Sequence, residues 1–247
     1  MNRRVELIIA GTVKGGTTSL DAYLRSHPQI GMSKIKEARF FDNDDHFKNG
    51  EPSYQQYHQM FADVWLRKLL GETTPNYMYV PAALQRIHAY NPAIKIIVIL
   101  RNPVDRAYSH WNMQRQLDKE TRGFSEAIRQ ELAQGIQAPS GSGGSNYIRR
   151  GLYTEQLERI WKFFQRERTM ILKNEDLRKN HFDTLNNVYR FLGVGQQKYI
   201  PLKEWNVRSY EKPIDVKDRE LLKEVFRPEI KKLEQTLNWD CSNWLAD

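Results

Sequence analysis

A mostly apolar run, Val5 to Ala10, breaks into Gly11-Thr12-Val13-Lys14-Gly15-Gly16-Thr17-Thr18. That junction constrains the fold more than any other feature of the chain. Six residues with no helical period suit a buried parallel strand. Thr17 to Arg25, with Leu20, Tyr23 and Leu24 on one face, reads as the helix that follows. A strand, a glycine-rich turn and a helix start aim several backbone N–H groups and the positive end of a helix dipole at one place, where a phosphate is stabilised. Gly15 and Gly16 permit close approach, Thr17 and Thr18 add hydroxyls, and Lys14 adds a full charge. Glycines placed only to pack a strand against a helix are the bland alternative. In P-loop NTPases the Lys follows the last Gly, whereas Lys14 precedes the glycine pair, so a nucleotide kinase is the lesser reading.

The pattern recurs at Ile94 to Leu100, nearly all β-branched or Leu, which stops at Arg101-Asn102-Pro103, with Pro103 suited to a helix's first turn. Between the two units the sequence predicts a helix over Ser53 to Phe61, a short strand near Leu69 to Glu72 and a helix over Pro81 to Tyr90. Helical patterns follow at Val104 to Leu117, Phe124 to Gln134 and Tyr153 to Phe164, then a strand at Thr169 to Lys173 and a helix around Asp183 to Leu192. Alternation of this kind predicts an α/β fold, a central parallel sheet flanked by helices. The length of 247 residues fits one domain spanning 1–247. The stretch 135–146, rich in Gly and Ser, reads as a flexible loop within it.

The charge balance, 38 Lys and Arg against 30 Asp and Glu, leaves +8 and implies an anionic partner. The basic residues are spread along the chain, which favours a phosphate-rich small ligand over nucleic acid. Cys241 is the only cysteine, so no intrachain disulfide forms and a reducing, cytoplasmic setting is expected. No stretch resembles a signal peptide or a membrane span. The six histidines are scattered, no acidic cluster suggests Mg²⁺, and no metal is expected.

Five blocks in order carry a resemblance: Ile9 to Thr18, Lys36-Glu37-Ala38-Arg39-Phe40-Phe41-Asp42, Glu72-Thr73-Thr74-Pro75-Asn76-Tyr77, Arg101 to Ser109, and Leu152-Tyr153-Thr154-Glu155-Gln156-Leu157. Together they resemble the sulfotransferases that use 3′-phosphoadenosine 5′-phosphosulfate (PAPS), in particular the heparan-sulfate N- and 3-O-sulfotransferase branch and its bacterial relatives. The resemblance implies a P-loop-like sulfotransferase fold, in which Lys14, Gly15, Gly16, Thr17 and Thr18 hold the 5′-phosphosulfate. It implies that Lys14 also stabilises the leaving phosphate oxygen, that Arg101 and Ser109 bind the 3′-phosphate, and that Arg208 sits in a late loop closing over the 3′-phosphoadenosine. Arg106, on the same helix as Ser109, reads as a solvated residue outside the site. The implied product is adenosine 3′,5′-bisphosphate, formed without a metal.

On the acceptor side the resemblance makes Glu37 the general base that takes the acceptor's proton. Phe40 and Phe41 would strip water from its carboxylate, while Lys36 and Arg39 would favour its charge. Arg39 and Asp42 are implied acceptor-binding residues. The chain departs from some relatives by having Thr73 in place of a Lys and Arg39 in place of a His. The expected acceptor is the hydroxyl or amine of a small molecule or saccharide, such as a natural product or glycan. A non-catalytic anion- or nucleotide-binding protein stays open as an alternative.

Overall fold

The structure, a computed structural model, describes residues 3–50, 52–136, 146–201 and 212–246. Five strands run in the order β2-β3-β1-β4-β5, and every neighbouring pair is parallel. They are β1 (Leu7–Gly11), β2 (Ile30–Met32), β3 (Leu69–Thr73), β4 (Lys95–Leu100) and β5 (Thr169–Lys173). The helices are α1 (Thr17–Ser26), α2 (Gln55–Gln59), α3 (Pro81–Tyr90), α4 (Pro103–Gln116), α5 (Phe124–Ala133), α6 (Tyr153–Phe163), α7 (Asn174–Lys179), α8 (His181–Leu192) and α9 (Val216–Leu237). The chain divides into two compact units, one of Met1–Leu100 and Leu157–Val207, the other of Arg101–Gln156 and Arg208–Asp247.

The first unit holds the sheet. Its central strands are buried on both faces, which explains why β1 and β4 are near-continuous apolar runs. Alternate residues Leu7, Ile9, Ile97 and Ile99 join Leu20 and Leu24 of α1 and Leu185, Val188 and Leu192 of α8 in one core. Each such side chain contributes roughly 1.5–3 kcal/mol by leaving water. The β1–β4 register slips between Ile9 and Gly11, just where β1 gives way to the glycine-rich loop.

The second unit is helical. Asn102 caps α4 by accepting the Val104 N–H at 2.9 Å, and Pro103 fills the first turn, where no N–H partner is required. Asp215 caps α9 in the same way through Lys217 N. The helix α9 lies beyond the last element expected from the sequence. Its buried residues Leu222, Phe226, Ile230 and Leu233 follow a helical period across Pro228. Arg106 corrects an expectation, because α4 turns it fully inward, where its guanidinium donates to the Tyr147 carbonyl. Burial lowers the Arg106 pKa from its usual value.

Candidate active site

The glycine-rich loop is fixed by backbone. Thr12 N donates to Ile99 O at 3.0 Å and Gly15 N to Thr12 O at 2.9 Å, tying the loop to the end of β4. A side chain on Gly15 would overlap Ile99 O and Thr12, so only Gly fits against β4 there. Gly16, with φ 109°, is the left-handed cap of α1. From the far side Asn174, the first residue of α7, donates its side-chain N–H to Gly15 O at 2.8 Å. Thr17 and Thr18 open α1, and as at any helix start their N–H groups have no carbonyl one turn back to bond. The loop therefore brings the N–H groups of the α1 start close to the end of β4.

The segment after β2 carries Glu37, Arg39 and Asp42. Glu37 N donates to Thr73 O at 2.8 Å, and Thr73 is the β3 partner of Ile9, two residues before the glycine-rich loop begins. The segment is thus moored one strand over from that loop, at the C-terminal edge of the sheet, where open α/β sheets bind ligands. Glu37 is half exposed and pairs with Lys36 at 3.1 Å. Arg39 lies outward and grips Asp42 Oδ2 at 3.2 Å, while the Asp42 side chain is wholly buried and also accepts from Asn76 at 2.6 Å. Arg39, Asp42 and Asn43 line a surface depression of about 330 Å³.

Backbone strain falls on these same residues. Among the described residues, six other than Gly have positive φ: Lys14, Glu37, Arg39, Asp118, Asn146 and Asn238. Asn and Asp tolerate that region, so the unfavourable cases are Lys14 (φ 67°), Glu37 (φ 61°) and Arg39 (φ 51°). Each costs on the order of 1 kcal/mol, and such strain clusters at functional sites.

Arg101 and Ser109 belong to the helical unit. Arg101 directly follows β4, with its carbonyl accepting from Tyr153 at 2.8 Å, and Ser109 is a buried residue of α4. Arg208 lies outside the described residues. Among the described residues no group of three His, Cys, Asp or Glu is gathered as a metal ion would require. Nor is any described helix long and apolar enough to cross a membrane.

Residues 4–225 match the sulfotransferase domain model. The chain belongs to the sulfotransferase domain family. Among solved structures it is similar to a sulfotransferase from Alicyclobacillus acidocaldarius, 28% identical, covering 99% of this chain and 100% of that one with a TM-score of 0.82. Among curated proteins it is similar to the membrane-associated sulfotransferase kil1 of Dictyostelium discoideum, 24% identical over 94% of this chain and 65% of that protein. It is also similar to human heparan sulfate glucosamine 3-O-sulfotransferase 6, 30% identical over 76% of this chain and 52% of that protein. The chain thus spans about half to two thirds of the length of these curated relatives.

Within this sulfotransferase domain the structure shows two features that sequence reasoning missed. Thr73 is buried and donates its hydroxyl to Asp21 of α1 at 2.7 Å. The larger omission is Glu72, fully buried at the end of β3. Tyr57 donates to its Oε1 at 2.9 Å, Tyr77 to the same oxygen at 3.1 Å, and Thr74 to its Oε2 at 2.8 Å. Burial pushes the Glu72 carboxyl up to about 7 against the pull of these hydroxyls, and the nearby Asp42 charge adds to the push. Phe40 and Phe41 pack against Tyr57, and Phe41 also against Tyr77. The aromatic shell expected around Glu37 therefore encloses Glu72 and its hydroxyl partners, and Glu37 stays near water. The available signal was a carboxylate inside a buried strand with tyrosines to either side in sequence.

Proposed function

We propose that this domain transfers a sulfuryl group from PAPS to a hydroxyl or amine of a small-molecule or saccharide acceptor. What carries the reading is the confinement, among the described residues, of unfavourable left-handed backbone to Lys14, Glu37 and Arg39. A fold accepts strain at three charged residues when their side chains must be aimed. The glycine-rich loop offers N–H groups and the Thr17 and Thr18 hydroxyls to the 5′-phosphosulfate, with Gly15 and Gly16 allowing close approach. Arg101 and Ser109 hold the 3′-phosphate, and Arg208 contributes to donor binding.

Glu37 takes the proton of the attacking hydroxyl or amine as the new bond to sulfur forms. The bond from sulfur to the phosphate oxygen breaks, and Lys14 stabilises the charge that collects on that oxygen. Adenosine 3′,5′-bisphosphate leaves with the electron pair, and no metal ion has a part in the balance. Arg39 binds the acceptor beside the depression it lines, and the buried Asp42 carboxylate supports it by holding its guanidinium. The lone cysteine, Cys241, is buried and suits a reducing cytoplasm.

Thermal unfolding with adenosine 3′,5′-bisphosphate in EDTA tests the donor assignment. At a hundred times the dissociation constant the ligand adds about 2.7 kcal/mol, a rise of roughly 5–10 °C for a chain of this size. Labelled PAPS incubated with an extract of the source organism then reports transfer and the product. No thermal shift in EDTA, with a shift from Mg-ATP instead, overturns the reading.

A further inference from the structure

Three consecutive amides of the Glu37–Asp42 segment end on two hydroxyls. Thr74 Oγ1 accepts from Arg39 N at 3.3 Å. Tyr77 Oη accepts from Phe40 N at 3.0 Å and from Phe41 N at 3.3 Å. A hydroxyl has one proton and two lone pairs, so each can receive these amides only while its own proton points elsewhere. Both protons point at Glu72, Thr74 to Oε2 and Tyr77 to Oε1. The third donor, Tyr57, is fully buried and gives its proton to Glu72 as well.

We propose that Glu72 is a positioning residue for the acceptor-side segment: as an acceptor of three hydroxyl protons it sets the direction of Thr74 and Tyr77, whose lone pairs then hold the amides of Arg39, Phe40 and Phe41. The inference deepens the reading of Glu37, Arg39 and Asp42 as the acceptor side and rests on it.

A proton on Glu72 must find an acceptor, and among the described residues its hydrogen-bond partners are the three hydroxyls. One of them then has to turn, which either takes a lone pair from a segment amide or leaves the Tyr57 hydroxyl buried without a partner. The hub is thus tightest when Glu72 is ionised. The titratable groups around it are Tyr57 from α2, Tyr77 after β3, Tyr90 from α3 and Asp42. The tyrosines stay neutral across the physiological range, because burial pushes all three upward. Asp42 is the other carboxylate, and it is held by Arg39 and Asn76.

Hydrogen exchange tests this on the free protein, without donor or acceptor. In Glu72→Gln the amides of Arg39, Phe40 and Phe41 should exchange about ten-fold faster, the loss of roughly one buried hydrogen bond, while those of Ile8 and Ile97 in the sheet hold. Binding of adenosine 3′,5′-bisphosphate should stay within two-fold. In the wild type, protection of the same three amides, corrected for intrinsic rates, should rise as pH climbs from 6 to 8, and Glu72→Gln should lack that rise. Should Glu72→Gln fail to fold, the wild-type pH series decides alone. Unchanged exchange in a folded Glu72→Gln, or a flat wild-type series, overturns the positioning role. The transfer assay with labelled PAPS judges the acceptor-side reading separately, since exchange at these amides does not depend on turnover.

Discussion

The donor loop and the acceptor-side segment are neighbours on the sheet edge, yet they are held by opposite means. The loop from Gly11 to Thr18 is shaped mostly by main chain: Thr12 N bonds Ile99 O, glycines stand where a side chain would collide, and one side chain, Asn174, donates to Gly15 O. The segment from Glu37 to Asp42 is shaped by a buried polar hub whose members, Tyr57 and the block Glu72, Thr74 and Tyr77, come from two other parts of the chain. Backbone-built sites fix a phosphate, which every donor of one class shares. Side-chain-built sites can be re-tuned by substitution.

The comparison breaks most visibly in catalysis. Lys14→Ala and Glu37→Gln should each lower transfer by about a hundred-fold or more. Only Lys14→Ala should also weaken the binding of adenosine 3′,5′-bisphosphate, measured by calorimetry. Equal losses of donor affinity in both variants would erase the division between the two regions.

The next effect belongs to the hub. Its carboxyl titrates near 4.5 when unfolded and near 7 when folded. Between those values the folded chain holds the extra proton, so stability falls by roughly 3 kcal/mol as pH rises through the window, then levels. Urea unfolding from pH 4.5 to 8 should show this decline in the wild type and a flatter curve in Glu72→Gln. The ionised hub thus orders the segment at the expense of global stability.

A third test strikes the loop. Gly15→Ala forces its new methyl against Ile99 O and should cost roughly 2 kcal/mol in urea unfolding, with donor binding lost. The smallest effect is strain relief. Lys14→Gly and Glu37→Gly should leave the protein as stable as wild type or up to about 1 kcal/mol more stable, although inactive. A clear loss of stability in either would show that its left-handed backbone is not strained.

This contrast also explains what could be seen in advance. Strands β1, β3, β4 and β5 were legible because apolar runs leave a local record, and the donor loop because its glycines are contiguous. Strand β2, three residues long, leaves too little pattern. Helix α9 was hidden by Pro228, which ordinarily interrupts a helix, although Leu222, Phe226, Ile230 and Leu233 kept the period. Arg106 was misjudged because a lone Arg on a helix carries no sign of which face is buried. Glu37, Arg39 and Asp42 were proposed only through resemblance, and Glu72 left no more than a carboxylate inside a buried strand, since its importance arises from hydroxyls brought together by the fold. The proposed 3′-phosphate residues Arg101 and Ser109 rest on the resemblance and on their place after β4.

The most direct measurement titrates adenosine 3′,5′-bisphosphate in EDTA into wild type and Glu37→Gln and follows labelled PAPS transfer in the same preparations. Matching donor affinities, with transfer lost only in Glu37→Gln, is the predicted result. Absence of binding by the wild type, or full transfer by Glu37→Gln, would contradict the account.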